Sequence, residues 1–106
     1  MPVDIDFAGT GNAVEFVTLT EGRWVVESSV KGNEGELGIG AEFTVKLLDS
    51  DGGLCDFVAL AMGAEANESS VIKVGDGLFD LFDCAPGELA LEIDAVGDWV
   101  VTFTKR

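Results

Sequence analysis

Polar and apolar side chains alternate with a period of two along most of this chain, and this pattern constrains its fold more than any other feature. In residues 91–103, LEIDAVGDWVVTF, Leu91 and Ile93 alternate with acidic residues, and the alternation resumes from Trp99 after a turn around Gly97. Successive side chains of a β-strand point to opposite faces, so the stretch predicts strands with one buried and one wet face. We predict that residues 91–103 form a hairpin of two such strands.

The same alternation recurs in short segments that are separated by turn residues. The stretch DSDGG at residues 49–53 has the composition of a hairpin turn. Residues 54–62 have apolar side chains at both odd- and even-numbered positions. This pattern favours a strand that is covered on both faces. Residues 78–83, LFDLFD, fit a short strand better than the helix that their spacing also allows, because turn residues lie close on both sides. Residues 31–40 and 63–70 have the glycine-rich or polar composition of loops.

These segments predict an all-β fold, a single antiparallel β-sandwich of the jelly-roll or Greek-key type with about eight to nine short strands. A chain of 106 residues is expected to form a single domain, residues 1–106. The apolar phase of each strand predicts the core. Its members are Ile5, Phe7, Val14, Phe16, Trp24, Val26, Phe43, Val45, Leu47, Val58, Leu60, Leu89, Leu91, Ile93, Trp99, Val101 and Phe103. Both tryptophans are therefore expected inside the sandwich and not on an exposed stacking platform.

The charge of the chain limits its partners. It has 20 acidic and 6 basic residues, a formal net charge of −14. Nucleic-acid binding requires lysine and arginine, and an anionic membrane surface would repel this chain, so we expect neither as a partner. The acidity fits a cation or a basic partner, or an ordinary solvated surface, and the single scattered acids favour the solvated surface.

The residue types needed for catalysis are scarce. The chain has no histidine and no tyrosine, which excludes activation of a nucleophile by histidine. A paired-carboxylate glycosidase needs a deep cleft, and a domain of this size has little volume left for one after its core is filled. We therefore expect that the protein is not an enzyme and has no cofactor.

The DSDGG turn is the best candidate for a cation site. Asp49 and Asp51 have the spacing with which a calcium loop begins. The positions that should supply the next oxygen ligands hold Leu54, Cys55 and Phe57. Calcium at Asp49 and Asp51 is thus the metal site that the sequence suggests, and an acidic hairpin turn is the alternative interpretation.

The cysteines and the N-terminal sequence leave the compartment open. Cys55 and Cys84 allow a disulfide or two buried free thiols, of which the thiols are favoured. The N-terminal residues lack a basic segment followed by an apolar one. A cytoplasmic location is the default if Met1 is the native start, and a secreted or cell-surface location follows if a signal was removed.

Two segments resemble a known family. FTVKLLDSDGG at residues 43–53 and APGELALEIDAVGDWVVTF at residues 85–103 resemble the pre-peptidase C-terminal type of β-sandwich. In that family a strand runs into an acidic turn, and a later Pro-Gly segment leads to a closing strand with an aromatic residue. Leu89 stands where the family usually has an aromatic side chain after Pro-Gly. The resemblance implies an accessory module of secreted prokaryotic proteins, with a binding or solubilising role and no catalysis.

Two functions follow as alternatives. The first is a non-catalytic binding or accessory module of a prokaryotic protein, which contacts a polysaccharide or a protein through an exposed face or through loops 31–40 and 63–70. The second is a self-assembling structural protein, a prokaryotic or viral component, which forms a homo-oligomer through sheet edges or the two-sided strand 54–62. A strict monomer in solution favours the first, and a stable oligomer favours the second.

Overall fold

In a computed structural model, residues 4–35, 39–75 and 84–105 are described, and their backbone forms eight β-strands and no helix. The strands are β1 (Asp4–Thr10), β2 (Ala13–Leu19), β3 (Gly22–Lys31), β4 (Glu42–Leu48), β5 (Leu54–Met62), β6 (Ala66–Val74), β7 (Gly87–Asp94) and β8 (Asp98–Lys105). The all-β prediction is confirmed. Within these ranges no helix is long and apolar enough to cross a membrane. The strand predicted at 78–83 lies outside the described residues.

The strands form two four-stranded antiparallel sheets, in the orders β1-β8-β3-β6 and β2-β7-β4-β5. Consecutive strands lie in opposite sheets at every step except from β4 to β5. This order is that of a jelly roll, one of the two sandwich types predicted from the alternation. The apolar faces of consecutive strands therefore meet across the core, and the two sheets bury each other.

The hairpin predicted at residues 91–103 is wrong. β7 and β8 lie in different sheets, so residues 95–97 connect one sheet to the other. Leu91 and Ile93 reach the core from one side, and Trp99 and Val101 reach it from the other. Alternation located both strands and both buried faces, but it is the same whether two strands pair edge to edge or face each other. The hairpin predicted at residues 49–53 is confirmed, because β4 and β5 are paired neighbours on either side of it.

The loop predicted at 63–70 is also wrong in its second half. β6 begins at Ala66, and its polar residues pair with the long strand β3, for example Asn67 opposite Ser29 and Ser69 opposite Glu27. This part of β6 is polar on both phases, so the amphipathic signal is missing. Its strand conformation comes from the hydrogen-bonding ladder that β3 offers, which is a tertiary effect.

The core lies between the sheets. It is centred on large, fully buried side chains, among them Trp24, Trp99, Phe43 and Phe103. The indole N–H of Trp24 donates to the Thr20 carbonyl, and that of Trp99 donates to the Gly11 carbonyl, both at 2.9 Å. The prediction that both tryptophans are buried is confirmed. The other predicted core residues found buried are Val26, Val45, Leu47, Val58, Leu89, Leu91, Ile93 and Val101.

Close packing around Trp99 explains one glycine of β1. Gly9 lies directly opposite Trp99 in the β1–β8 ladder. A Cβ atom at Gly9 would lie 2.7 Å from Cζ2 of the indole, which is closer than carbon atoms approach. The indole thus occupies the space that a side chain at position 9 would need. Ile5 and Phe7 on the same strand are partly buried, and Phe7 packs edge-on against Phe103 with ring centroids 6.2 Å apart.

Three residues predicted in the core are on the surface instead: Val14, Phe16 and Leu60. In β2, Val17 pairs with Leu89, whose side chain points inward, so the odd-numbered residues of β2 face the core and Phe16 faces solvent. In β5, the register shifts by one residue at Val58, which has no partner of its own. This β-bulge buries Val58 and Ala59 in succession and turns Leu60 outward.

Candidate functional site

The outer surface of the β2-β7-β4-β5 sheet carries a cluster of exposed and partly buried apolar side chains, which we call the apolar face. Its members are Val14, Phe16, Leu48, Leu54, Phe57, Leu60, Met62 and Ala90. Phe16 is 65% exposed, Leu60 64% and Met62 74%. Isolated apolar residues are normal on a protein surface, whereas clusters of them are typical of interaction surfaces.

Strand register brings these residues together. Phe16 pairs with Ala90, Ala90 with Leu48, and Leu48 with Leu54. One apolar row therefore crosses all four strands from edge to edge. Directly opposed residues on one face have Cβ atoms about 4.5–5.5 Å apart in a regular ladder, so Phe16, Ala90 and Leu48 lie side by side. Leu54 follows a second register shift of β5 and extends the row to the edge.

The neighbouring row has charges at its centre and apolar residues at its ends. It runs from Val14 through Glu92 and Lys46 to Phe57. The Lys46 ammonium lies 4.0 Å from a Glu92 carboxylate oxygen and 5.8 Å from the centroid of the Phe57 ring. Both contacts hold the lysine within the sheet surface, so the carbon chain of Lys46 adds to the apolar area.

A depression of about 230 Å³ lies where the apolar row meets the β4–β5 turn. Phe16, Leu48 and Ala90 form its apolar walls, and Glu88 and Asp49 stand at its border. The small side chain of Ala90 lies between the larger Phe16 and Leu48 in the row, and this leaves the space open. The depression thus combines an apolar interior with carboxylates at its border.

The opposite sheet carries a different surface, a shallow polar depression of about 360 Å³. Its outward-facing residues are Glu27, Ser29, Asn67, Ser69, Val100 and Thr102. Hydroxyl, amide and carboxylate groups are suited to hydrogen bonding with a polyhydroxyl ligand. They are equally well satisfied by water, and the two tryptophans that could stack on a sugar ring are in the core.

The predicted calcium ligands belong to the β4–β5 turn. Oδ1 of Asp49 accepts hydrogen bonds from the backbone N–H groups of Asp51, at 2.9 Å, and Gly53, at 2.8 Å. Asp49 thereby stabilises its own turn, which is the role given by the alternative interpretation. In the part of the chain that the structure describes, no three acidic or cysteine side chains are grouped to hold a metal ion. Calcium at Asp49 and Asp51 stays a prediction.

Cys55 and Cys84 form a disulfide, with their Cα atoms 5.3 Å apart. The interpretation as free thiols is therefore wrong. The backbone of Cys84 forms a parallel β-bridge with Val74 at the end of β6, and Cys55 lies in β5. The disulfide therefore joins the edges of the two sheets. The spacing of the cysteines along the sequence could not show this, because the jelly-roll crossing from β5 to β6 brings them together.

The two loops predicted as binding loops meet at one end of the sandwich. The Asn33 side chain, fully buried, donates from Nδ2 to the carbonyls of Ala41 and Gly63 and accepts at Oδ1 from the N–H groups of Val96 and Gly97. The Asn33 side chain thereby holds together the three loops that join β3 to β4, β5 to β6 and β7 to β8. The sequence did not single out Asn33, and a lone asparagine in a glycine-rich loop gives no signal of such a role.

The residues of the apolar face were also missed, although a signal for part of them was present. The alternation of β7 is unambiguous, with Leu89, Leu91 and Ile93 on one phase, whereas that of β2 has apolar residues on both. Pairing β2 with β7 in the observed register assigns Phe16 to the surface. Neither that pairing nor the bulge at Val58 can be read from the sequence alone.

The chain matches no protein-family model and no curated protein.

Proposed function

We propose that this protein is a non-catalytic binding module that docks onto another protein through the apolar face. The observation that carries the proposal is the row of Phe16, Ala90, Leu48 and Leu54 across the sheet. Exposing these side chains to water is unfavourable by roughly 25 cal/mol per Å² of apolar surface, which covering by a partner would recover. The accessory role implied by the resemblance to the pre-peptidase C-terminal family belongs to the same class.

The absence of catalysis is part of the proposal. The sequence lacks histidine and tyrosine, and the depressions on the outer faces are shallow and lie on sheet surfaces. The row of apolar side chains offers contact area but no nucleophile or general base. Recognition through such a face depends on shape and burial, with polar groups at the rim.

Photo-cross-linking tests the proposal. A photoreactive amino acid at position 16 should cross-link to a protein of the native extract, whereas the same probe at position 71, exposed on the opposite sheet, should not. The purified partner should then bind Phe16→Ser at least about tenfold more weakly than the parent, a change of about 1.4 kcal/mol. Val71→Ser is the matched control and should bind normally. Equal binding of Phe16→Ser by that partner would contradict the proposal.

A second candidate is self-assembly, and strand β5 is the specific observation that favours it. β5 is nine residues long, forms an edge of its sheet and exposes Leu54, Phe57, Leu60 and Met62. An edge strand presents unpaired backbone groups that a second copy can pair with. Sedimentation velocity tests this candidate. An oligomer that dissociates on the Leu60→Lys substitution supports it, and a monomer at every concentration rejects it.

A further inference from the structure

We infer that the occupant of the apolar face is a segment of another protein in which a large apolar side chain is flanked by lysine or arginine. The inference rests on the proposed function and names the chemistry of the partner. The depression beside Ala90 and the charges around it support this chemistry.

The size and lining of the depression indicate which apolar side chain the partner inserts. It is lined on its apolar side by Phe16, Leu48 and Ala90, and its volume of about 230 Å³ is enough for one large apolar side chain that a docked partner would cover. Anchoring side chains of interfaces are commonly buried in such pockets near the centre of the contact, where water is excluded. Phe16 and Leu48 supply the walls without rearrangement, because both strands are held in register by β7.

The charges around the depression indicate which residues flank that side chain in the partner. The outward positions of the sheet hold four acids, Glu42, Glu88, Glu92 and Asp94, and a single base, Lys46, which is already paired with Glu92. The β4–β5 turn adds Asp49 at the border of the depression. A basic residue next to the anchor gains attraction from these carboxylates, and the complementary potential also speeds association.

The same charges disfavour a second copy of this chain. Two apolar faces in contact would bring two sets of the same acids together, on molecules that each carry a net charge of −14. At physiological ionic strength the Debye length is about 8 Å, so charges at the rim of a close contact are screened only in part. A basic partner relieves this repulsion, whereas a copy of the chain adds to it.

Nuclear magnetic resonance titration with three synthetic peptides of equal length tests the inference. The first has a Leu-Phe centre flanked by lysines, the second has the same centre flanked by glutamates, and the third has a Ser-Ser centre flanked by lysines. The first should shift the backbone amide resonances around Phe16 and Ala90 and bind at least about tenfold more tightly than the others. Raising the salt from about 0.1 M to about 1 M should weaken its binding, since the Debye length falls from about 10 Å to about 3 Å.

A charge reversal at the depression provides the matched comparison. Glu88→Lys should weaken binding of the first peptide at least about fivefold, because it replaces attraction by repulsion within a Debye length. Glu27→Lys makes the same change on the opposite sheet and should leave binding within about twofold of the parent. Equal losses for the two variants would overturn the inference.

The remaining outcomes separate this inference from the proposed function. Equal binding of the lysine-flanked and glutamate-flanked Leu-Phe peptides overturns the basic partner but leaves docking through the apolar face intact. Equal binding of the Leu-Phe and Ser-Ser peptides, or no binding of any peptide, overturns both. Dimerisation of the chain that strengthens with salt assigns the face to a second copy and overturns the basic partner.

Discussion

At the scale of single residues, a buried asparagine is stable only when its donors and acceptors are all satisfied, and Asn33 meets this condition. Its side chain makes four hydrogen bonds, between 2.7 and 3.3 Å, to three separate connections. Leaving a buried backbone group without a partner is unfavourable by about 1–3 kcal/mol. Asn33 therefore stabilises this end of the sandwich by holding three connections together.

We expect Asn33→Ala to lower the free energy of unfolding by about 3–5 kcal/mol, because several backbone groups lose their partners together. Urea denaturation followed by tryptophan fluorescence measures the change. Asn67→Ala, at an exposed position on β6, is the control and should stay within about 0.5 kcal/mol of the parent. A parent-like midpoint for Asn33→Ala would show that the hydrogen bonds contribute little.

Ser28 is the opposite case. It is buried between Val26 and Val30 of β3, and its hydroxyl has no hydrogen-bond partner within the described residues. A buried hydroxyl in this condition loses its bonds to water without replacement. Most substitutions in a core are destabilising, but removal of an unsatisfied hydroxyl is expected to be stabilising.

We expect Ser28→Ala to raise the free energy of unfolding by about 1 kcal/mol, since it removes an unsatisfied polar atom and only a small volume. The melting midpoint should rise by roughly 4–8 °C for a domain of this size. Ser69→Ala, on the solvent side of β6, serves as the control and should not shift the midpoint. A lower midpoint for Ser28→Ala would mean that the hydroxyl is satisfied after all.

At the scale of the strand, the two faces of β2 have opposite roles. Leu19 is completely buried, whereas Phe16 is mostly exposed although it is the larger apolar residue. Hydrophobicity alone would assign Phe16 to the core. The register with β7 decides otherwise, because it aligns Val17 with Leu89 on the inner face of the sheet.

We expect Leu19→Ala to lower the free energy of unfolding by about 2–5 kcal/mol, through lost burial and the cavity that remains. Phe16→Ala should stay within about 0.5 kcal/mol of the parent, because no core contact is lost. Chemical denaturation of the two variants in parallel makes the comparison. The reverse order would place Phe16 in the core and remove the apolar face.

The strands themselves follow from the sequence to a large extent. Seven of the eight contain the alternation or apolar run that predicts them, whereas in β6 an apolar run is present only in the second half, at residues 71–74. The candidate site followed much less well, because it depends on the phase of β2 and on the bulge in β5. Both are set by the neighbouring strand, and neither has a signature in the residues that adopt it.

At the scale of the whole molecule, the disulfide closes the side of the sandwich where the sheets end in β5 and β6. Cys55 and Cys84 are 29 residues apart, so the bond restricts a long loop of the unfolded chain. Loops of this length correspond to a stabilisation of about 3–4 kcal/mol in the chain-entropy account. Such bonds persist in oxidising compartments, which is the environment of the secreted alternative.

We expect replacement of both cysteines by alanine to lower the free energy of unfolding by about 3–4 kcal/mol. Reduction of the parent protein should produce a similar loss in the same denaturation experiment. The double variant is the control for the reducing agent and should not respond to it. A reduced parent that unfolds at the oxidised midpoint would show that the bond contributes no stability.

The sequence by itself determined where most strands lie, which phase of the strongly alternating strands is buried, and that the surface is acidic and without histidine. These are local properties, because alternation depends only on the geometry of one strand. The tertiary structure decided that β7 and β8 face each other across the core, that Cys55 meets Cys84, and that Phe16 and Leu60 are on the surface. Each of these depends on which strand lies alongside and in what register, and residues far apart in the chain set both.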